Sequence, residues 1–372
     1  APLIGGRLIV GYIEDVKAKV YMHELSSGRR LYELPVEAAG NVSGLFAEKD
    51  CNEVFFQFES FLVPSIEYRM DFTNVPLETR PPVEELRRVQ VAGMEKEKFK
   101  VEQVFYPSKD GTKIPMYLIS NADMVRNGEN PTILNGYGGF NVADMPYFGI
   151  SRLLWVRHFG GVWASANLRG GSEYGESWHE AGMLHNKQNV FDDFIAAGEY
   201  LVNEKITRPD KLTIHGGSNG GLLVAATSQQ RPDLFGAAIN RVGVLDMLRF
   251  HKFTIGGAWL PEYGNPEKQE DFEYIFKYSP LHNLKIPADG EWPATLLMTA
   301  DHDDRVVPSH SLKYIATLYD RAREHGKQRK PILARVEVKA GHGAGKPTSK
   351  IIAESVDMYA FISRVIGAQW RE

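Results

Sequence analysis

The chain has little cysteine, little net charge and no long apolar run. Its 372 residues include one cysteine, Cys51, which excludes an internal disulfide and favours a reducing compartment. The formal net charge is only −4, so the composition gives no sign of a nucleic-acid partner. No stretch of about 18 apolar residues and no signal-peptide pattern occurs, which argues against a membrane partner. We therefore expect a cytoplasmic protein.

Metal-binding patterns are also scarce. The chain has neither an HExxH nor a CxxC motif, and the acidic run at residues 301–304 contains adjacent side chains, which rarely converge on one ion. A solvated loop end is the better alternative explanation for that run. We expect no metal and no cofactor. With 43% hydrophobic and 24% charged residues, the composition is typical of a globular protein with a large core.

The most informative motif is the sequence GGSNG at residues 216–220, which fits G-x-S-x-G. Residues 211–215 before it are typical of a buried strand, and the small and aliphatic residues 221–228 after it favour a helix. A strand that turns sharply into a helix through a serine is the nucleophile elbow of α/β-hydrolases. It would expose the hydroxyl of Ser218 and direct the amide of Asn219 towards an oxyanion. A glycine-rich turn used only for close packing is the alternative.

A general base and an acid follow the serine in the chain order of α/β-hydrolases. A predicted strand at residues 294–300 leads into the acidic run, and another at 332–338 leads to His342, which lies between two glycines. Ser218, one of the aspartates in 301–304 and His342 therefore form a candidate triad. The histidine would take the serine proton and the acid would orient its imidazole. Spacing alone does not choose among Asp301, Asp303 and Asp304.

The chain changes character near residue 80. The segment 8–72 contains short predicted strands separated by turn signals. From about residue 100, strands alternate with helical stretches such as 190–203, which predicts a mostly parallel sheet flanked by helices. We place the boundary in the proline-bearing segment near 75–90, giving predicted domains 1–80 and 81–372 of an α/β protein.

Several longer stretches resemble the prolyl oligopeptidase family over essentially the whole chain. They are residues 135–140, 167–175, 301–308 and 339–347, together with the segment around Ser218. The resemblance implies an α/β-hydrolase fold preceded by part of a β-propeller. It also implies a serine endopeptidase that cleaves short, proline-containing peptides on the carboxyl side of proline through an acyl-enzyme.

The resemblance also implies residue roles that spacing cannot assign. It selects Asp303 as the triad acid, and it makes the Tyr137 hydroxyl a second oxyanion donor beside the Asn219 amide. It places Arg305 where it can bind a substrate carbonyl. An aromatic, uncharged pocket suits proline, whose flat ring can stack on an indole and has no N–H. The pocket residues implied in this way are Trp259, Phe140, Tyr263, Val244 and Val306. Ordinary core packing is the alternative for each aromatic residue.

The chain departs from the family in length, because family members are about twice as long. Residues 1–80 resemble the last blades of the family's seven-bladed propeller, and about 65 residues can supply one or two four-stranded blades. We therefore expect a fragment, an incomplete record or a proteolytic piece. A second chain carrying the missing N-terminal and propeller portion is a candidate partner.

Three other functions compete with a proline-specific peptidase. The sister oligopeptidase that cleaves after Lys or Arg would need buried carboxylates in its pocket, for which Glu262 and Glu173 are available. A general esterase is disfavoured because Arg305 has the character of a peptide-backbone anchor. A non-catalytic module that binds a partner through exposed propeller edges is the third candidate.

Overall fold

The computed structural model describes residues 3–36, 39–48 and 51–372. The chain divides into two compact units. One comprises Ala1–Val101 together with Met145–Ile150, and the other comprises Glu102–Asp144 together with Ser151–Glu372. The boundary predicted after residue 80 lies inside the first unit.

The first unit contains two four-stranded sheets in which each strand pairs with the next along the chain. All of these pairs are antiparallel, and the second sheet ends with a strand that lies beyond residue 80. This meander is the form of a propeller blade. The strands are β1 (Leu3–Ile4), β2 (Arg7–Glu14), β3 (Lys17–Glu24), β4 (Arg30–Glu33), β5 (Asn41–Phe46), β6 (Glu53–Glu59), β7 (Ile66–Asp71) and β8 (Glu84–Arg88).

Alternation of apolar residues explains the strands of the second sheet. Successive side chains of a strand point to opposite faces, so every second residue can be buried. Phe56 and Phe58 on β6 are buried and face Tyr68 and Ile66 on β7, and the rings of Phe56 and Tyr68 stack with centroids 5.1 Å apart. Side chains from both sheets form one buried apolar cluster, which is the core of this unit.

The second unit is built on an eight-stranded sheet with strand order β16-β15-β14-β13-β11-β12-β10-β9. The neighbours from β16 to β12 in that order are parallel, whereas β10 pairs antiparallel with β12. The prediction of a mostly parallel sheet is confirmed. The strands are β9 (Phe99–Pro107), β10 (Lys113–Asn121), β11 (Thr132–Asn135), β12 (Val162–Ala166), β13 (Leu212–Gly217), β14 (Ala237–Arg241), β15 (Ala294–Ala300) and β16 (Ile332–Glu337).

Eight α-helices lie in the described part of the chain. They are α1 (Ile150–Phe159), α2 (Glu176–Glu180), α3 (Gln188–Asn203), α4 (Asn219–Gln230), α5 (Leu260–Tyr263), α6 (Gln269–Tyr278), α7 (Ser309–His325) and α8 (Thr348–Ile366). Short 3-10 turns occur at Lys96–Lys98, Leu184–Asn186, Pro209–Lys211, Phe250–Lys252, Gly256–Trp259 and Pro280–His282. Across the described residues, no helix combines the length and the apolarity that crossing a bilayer requires.

Helix α3 shows why these segments are helical. Its buried residues Val190, Phe194, Ala197 and Leu201 recur every three or four positions and form one apolar face against the sheet cluster. Strand β15, in contrast, is buried at every position. A parallel strand covered on both faces has this uninterrupted apolar pattern rather than alternation.

The topology brings the predicted site residues to one edge of the sheet. Ser218 directly follows β13, and Tyr137 follows β11 by two residues. Asp303 and His342 come after the neighbouring parallel strands β15 and β16. Because the carboxyl ends of parallel strands lie at the same edge, loops after these strands converge there, which is where ligands bind in open α/β sheets.

Candidate active site

The backbone of Ser218 has φ 59° and ψ −117°, in the left-handed half of conformational space that side chains other than glycine rarely adopt. Its amide donates to the carbonyl of Arg241 at 2.9 Å, and its own carbonyl accepts from the amide of Val244 at 3.3 Å. Close packing requires a glycine beside it, because a Cβ at Gly220 would lie 2.6 Å from the carbonyl oxygen of Gly136. The turn is therefore a strained, anchored elbow.

The side chain of Asp303 is fully buried and its hydrogen bonds are satisfied. Oδ2 lies 2.7 Å from Nδ1 of His342, while Oδ1 accepts from the amides of Arg305 at 3.0 Å and Val306 at 2.9 Å. These amides fix the carboxylate, and the carboxylate in turn fixes the imidazole. With Nδ1 occupied, Nε2 of His342 is the nitrogen left to act as a base.

The other two acids of the run are in different surroundings. Oδ1 of Asp301 lies 2.6 Å from Nδ1 of the exposed His302, and this hydrogen bond lowers the pKa of Asp301 to about 2. Asp304 is exposed. Of the three acids that the sequence left open, Asp303 is the one hydrogen-bonded to His342. The residues that the structure describes contain no group of three or more His, Cys, Asp or Glu side chains arranged to hold a metal ion.

The Ser218 hydroxyl and His342 are not hydrogen-bonded to each other in the described residues; His342 bonds through Nδ1 to Asp303 alone. Nucleophile–base contacts are often long without substrate and tighten in the substrate complex. Asp303 and His342 are thus paired at the ends of neighbouring strands, while Ser218 follows β13, which β14 separates from β15.

Tyr137 and Asn219 lie next to Ser218 and are joined to each other. The amide group of Asn219 donates through Nδ2 to the Tyr137 carbonyl at 2.6 Å, and the hydroxyl of Tyr263 donates to Oδ1 of Asn219 at 2.9 Å. Burial raises the pKa of the Tyr137 phenol, the charge of Glu262 raises it further, and the charge of Arg305 opposes the rise. The phenol therefore stays protonated and able to donate at neutral pH.

A cavity of about 260 Å³ opens at Ser218 and has a mainly aromatic and aliphatic wall. The rings of Phe140 and Tyr263 meet edge to face there, with centroids 5.3 Å apart. Sequence reasoning missed Ile255, which is half exposed on the wall. Val306 is not on the wall, but it belongs to the same buried apolar cluster as Tyr263. The lining residues are Tyr137, Phe140, Ser218, Val244, Ile255, Trp259, Tyr263 and Arg305.

Among the residues that the structure describes, no carboxylate lines this cavity. Glu262 is 5% exposed and contacts Lys187 at 3.3 Å through Oε1 and His179 at 2.8 Å through Oε2. Glu173 accepts the amide of Asp144 at 3.0 Å, and burial raises its pKa to about 7. Both acids considered for a Lys/Arg pocket therefore have partners elsewhere.

Arg305 is the cationic member of the cavity wall. Its side chain is exposed, and within the described residues it forms neither an ion pair nor a side-chain hydrogen bond. A guanidinium with free N–H groups beside an apolar cavity can donate to a carbonyl oxygen of a bound peptide.

Comparison with known proteins agrees with this geometry. A model described as the prolyl oligopeptidase family matches residues 146–369, and a model of the N-terminal β-propeller domain of prolyl oligopeptidase matches residues 2–80. The chain belongs to the prolyl oligopeptidase family. Its two four-stranded sheets are a partial propeller, and its eight-stranded sheet with flanking helices is the α/β-hydrolase fold. The fold class predicted from the sequence is confirmed.

Curated relatives in this family are similar along nearly the whole chain. Prolyl oligopeptidase A of Galerina marginata is 44% identical over 370 residues, covering 99% of this chain and 48% of the relative. The prolyl endopeptidase of Elizabethkingia miricola is 41% identical over 360 residues, covering 96% and 49%. The chain spans about half the length of the curated relatives it matches.

Solved structures show the same relationship. One from a study of two prolyl endopeptidases and their inter-domain dynamics has a TM-score of 0.92 and 43% identity, covering 99% of this chain and 52% of that one. Prolyl oligopeptidase B of Galerina marginata, bound to a 35mer hydrolysis and macrocyclization substrate, has a TM-score of 0.91 and 38% identity, covering 98% and 50%. The likeness therefore extends through both units of the chain.

Proposed function

We propose that this chain carries the catalytic machinery of a serine endopeptidase that cleaves short peptides on the carboxyl side of proline. The observation that supports this most strongly is the aromatic cavity that opens at Ser218, whose described lining residues include no carboxylate. The Asp303–His342 pair on neighbouring strand ends supplies the base that such a serine needs. Relatives over 40% identical are named prolyl endopeptidases and prolyl oligopeptidases.

In the first half-reaction, Oγ of Ser218 attacks the carbonyl carbon of the proline residue. Nε2 of His342 takes the hydroxyl proton, and Asp303 stabilises the imidazolium through its bond to Nδ1. The negative charge develops on the former carbonyl oxygen. The Tyr137 hydroxyl and the backbone N–H of Asn219 are the proposed donors to this oxyanion, each contributing a few kcal/mol in the transition state.

Collapse of the tetrahedral intermediate breaks the C–N bond, and His342 gives the proton to the leaving amine. The proline carbonyl is then esterified to Ser218. In the second half-reaction, His342 takes a proton from water, the resulting hydroxide attacks the ester, and the proton returns to Ser218 as the acid product leaves. The proposed steps use groups of this chain and one water molecule, with no metal or cofactor.

Selectivity for proline follows from the shape and chemistry of the cavity. Its aromatic residues Phe140, Trp259 and Tyr263 offer flat apolar surface to a pyrrolidine ring. Proline has no backbone N–H, so it leaves no donor unsatisfied in such a wall. Arg305 would donate to a carbonyl adjacent to the proline. A Lys or Arg side chain would instead place its charge in a cavity without a carboxylate.

Chromophore release from a blocked Gly-Pro substrate and a blocked Gly-Arg substrate tests the proposal. We expect turnover of the proline substrate alone, its loss in Ser218→Ala and its retention in Ser228→Ala, a matched serine-to-alanine change in the helix that follows Ser218. Turnover of the arginine substrate would instead assign the chain the specificity of the oligopeptidases that cleave after Lys or Arg. Failure of a fluorophosphonate to label the folded protein would favour a non-catalytic binding module.

The compartment and the domain limits are part of the same proposal. The chain has one cysteine, Cys51, which is exposed, and so low a cysteine content suits a reducing compartment such as the cytoplasm. We also propose 1–80 and 81–372 as the propeller and hydrolase parts of the sequence. Expression of 81–372 alone, followed by thermal unfolding, tests whether that second part folds independently.

A further inference from the structure

Two buried charged side chains and a partly buried histidine, none of which lines the cavity, form a network beside it. Lys187 is 1% exposed and its ammonium donates to the carbonyl of Gly138 at 3.0 Å. The same ammonium lies 3.3 Å from Oε1 of Glu262, whose Oε2 lies 2.8 Å from Nε2 of His179. We call these three residues the Lys187–Glu262–His179 network.

Two further hydrogen bonds connect His179 back to the backbone segment that contains Gly138. Nδ1 of His179 lies 3.0 Å from Oε1 of Glu176, and Oε2 of Glu176 accepts from the side-chain amide of Asn141 at 3.0 Å. Its two ends, Gly138 and Asn141, therefore belong to one loop, residues 137–141, which we call the Tyr137 loop. The chain of hydrogen bonds therefore begins and ends on the Tyr137 loop.

The Tyr137 loop needs such anchoring because its backbone is strained. Phe140 has φ 56° and Asn141 has φ 57°, both in the left-handed region that is unfavourable for residues other than glycine. A residue keeps such an unfavourable backbone conformation only where the surrounding contacts hold it in place. This loop carries the Tyr137 hydroxyl and the Phe140 ring, two groups that face the cavity.

The same network also reaches the helix that carries Tyr263, another residue of the cavity wall. Glu262 precedes Tyr263 on helix α5, and the Lys187 ammonium lies 5.4 Å from the centre of the Tyr263 ring. One ion pair thus joins the Tyr137 loop to the helix that carries Tyr263. A displacement of either partner would change the position of Tyr263 relative to the Tyr137 loop.

Stability alone is a poor explanation for this ion pair. Burial lowers the pKa of Lys187, although the charge of Glu262 and the hydrogen bond to it oppose that change. Desolvating two charges is costly, and well-packed apolar residues in place of a buried ion pair are often neutral or stabilising. Geometric restraint of the neighbouring cavity is the better explanation.

We propose that Lys187, Glu262 and His179 are positioning residues that hold the Tyr137 loop and helix α5 at the separation that catalysis requires. The expected effect on turnover rests on the proposed function. The restraint of the Tyr137 loop and helix α5 by the network does not depend on it. None of the three residues lines the cavity. They act through Tyr137, Phe140 and Tyr263.

The test compares Lys187→Met and Glu262→Gln with Glu273→Gln, an exposed carboxylate-to-amide change on α6. Each variant is examined by steady-state cleavage of the blocked Gly-Pro substrate and by hydrogen exchange of the amides of the Tyr137 loop. We expect about a 10-fold or larger fall in kcat with a smaller change in KM, because a displaced Tyr137 hydroxyl weakens the transition state more than substrate binding. Loop exchange should be faster in both variants and unchanged in Glu273→Gln.

A single substitution leaves one buried charge without its partner and can therefore unfold the protein. The double variant Lys187→Met with Glu262→Leu removes both charges and controls for this. It should keep cooperative unfolding while retaining the slow turnover and the fast loop exchange. If the folded variants had the wild-type kcat and the wild-type rate of amide exchange in the Tyr137 loop, the inference would be overturned. A wild-type chain that cleaves no proline substrate would defeat the proposed function, whereas the exchange comparison would still decide for or against the network.

Discussion

Oδ2 of Asp303 lies 2.7 Å from Nδ1 of His342, and the other oxygen of the same carboxylate is held by two backbone amides. This arrangement sets both the orientation and the tautomer of the imidazole. It distinguishes Asp303 from Asp301, which pairs with the exposed His302. The distinction leads to the first prediction.

Asp303→Asn should lower kcat for the proline substrate by about 10⁴-fold, because an amide facing Nδ1 favours the wrong imidazole tautomer. Asp301→Asn is the matched control two positions earlier and should have kcat close to wild type. Measuring kcat of both variants with saturating proline substrate would check this prediction. Equal losses in both would remove the special role of Asp303.

Tyr137→Phe should lower kcat by about 10²-fold, since one oxyanion donor is lost while the ring and its packing remain. Tyr319→Phe, which removes an exposed hydroxyl on α7, serves as the control. Single-turnover acylation with the blocked Gly-Pro substrate is the appropriate measurement. A Tyr137→Phe enzyme with the wild-type acylation rate would assign the oxyanion to backbone amides alone.

Arg305→Ala should weaken substrate binding by about 1–3 kcal/mol, the range for a hydrogen bond from a charged group. The loss should be seen mainly in KM, because the guanidinium is proposed to bind a carbonyl away from the reacting one. Arg323→Ala, at an exposed position on α7, is the control. Unchanged KM in Arg305→Ala would show that this residue does not touch the substrate.

Stability should fall as the pH rises through the range in which Glu173 titrates. Burial raises the folded pKa of Glu173 from 4.5 to about 7, so between these values the folded state keeps a proton that the unfolded state has lost. The free energy of unfolding then decreases with rising pH and levels off above the folded pKa, by up to roughly 3 kcal/mol.

The variant Glu173→Gln keeps an acceptor for the Asp144 amide but cannot ionise. Its free energy of unfolding should therefore decline less between pH 5 and pH 8 than that of the wild type. Urea unfolding at the two pH values measures the difference, with the exposed Glu180→Gln as control. Parallel declines in wild type and Glu173→Gln would contradict the assignment.

Local sequence signals were sufficient for the elbow and the sheet. Glycines around Ser218 and an apolar run on one side predicted a strand–turn–helix unit, and the structure has β13 ending at Gly217 and α4 starting at Asn219. The predicted strand at residues 294–300 coincides with β15. These features are encoded within ten or so residues, so no knowledge of distant contacts was required.

Features that depend on distant contacts were not predictable. Lys187 and Glu262 are 75 residues apart, and a buried ion pair leaves no periodic signal in either segment. Spacing could not choose Asp303 over its neighbours, because the choice depends on where a loop 39 residues later places His342; the family resemblance alone selected it. Ile255 is likewise brought to the cavity by a turn whose sequence is not distinctive.

The close approach of Gly220 to the carbonyl of Gly136 has a consequence for redesign of the proposed specificity. Backbone meets backbone there, so the elbow and the strand end that precedes Tyr137 leave no room for a new side chain between them. Mutant libraries that vary these glycines should yield mostly inactive clones. Libraries confined to Val244, Ile255 and Trp259 would alter the substrate preference while the reacting atoms keep their places.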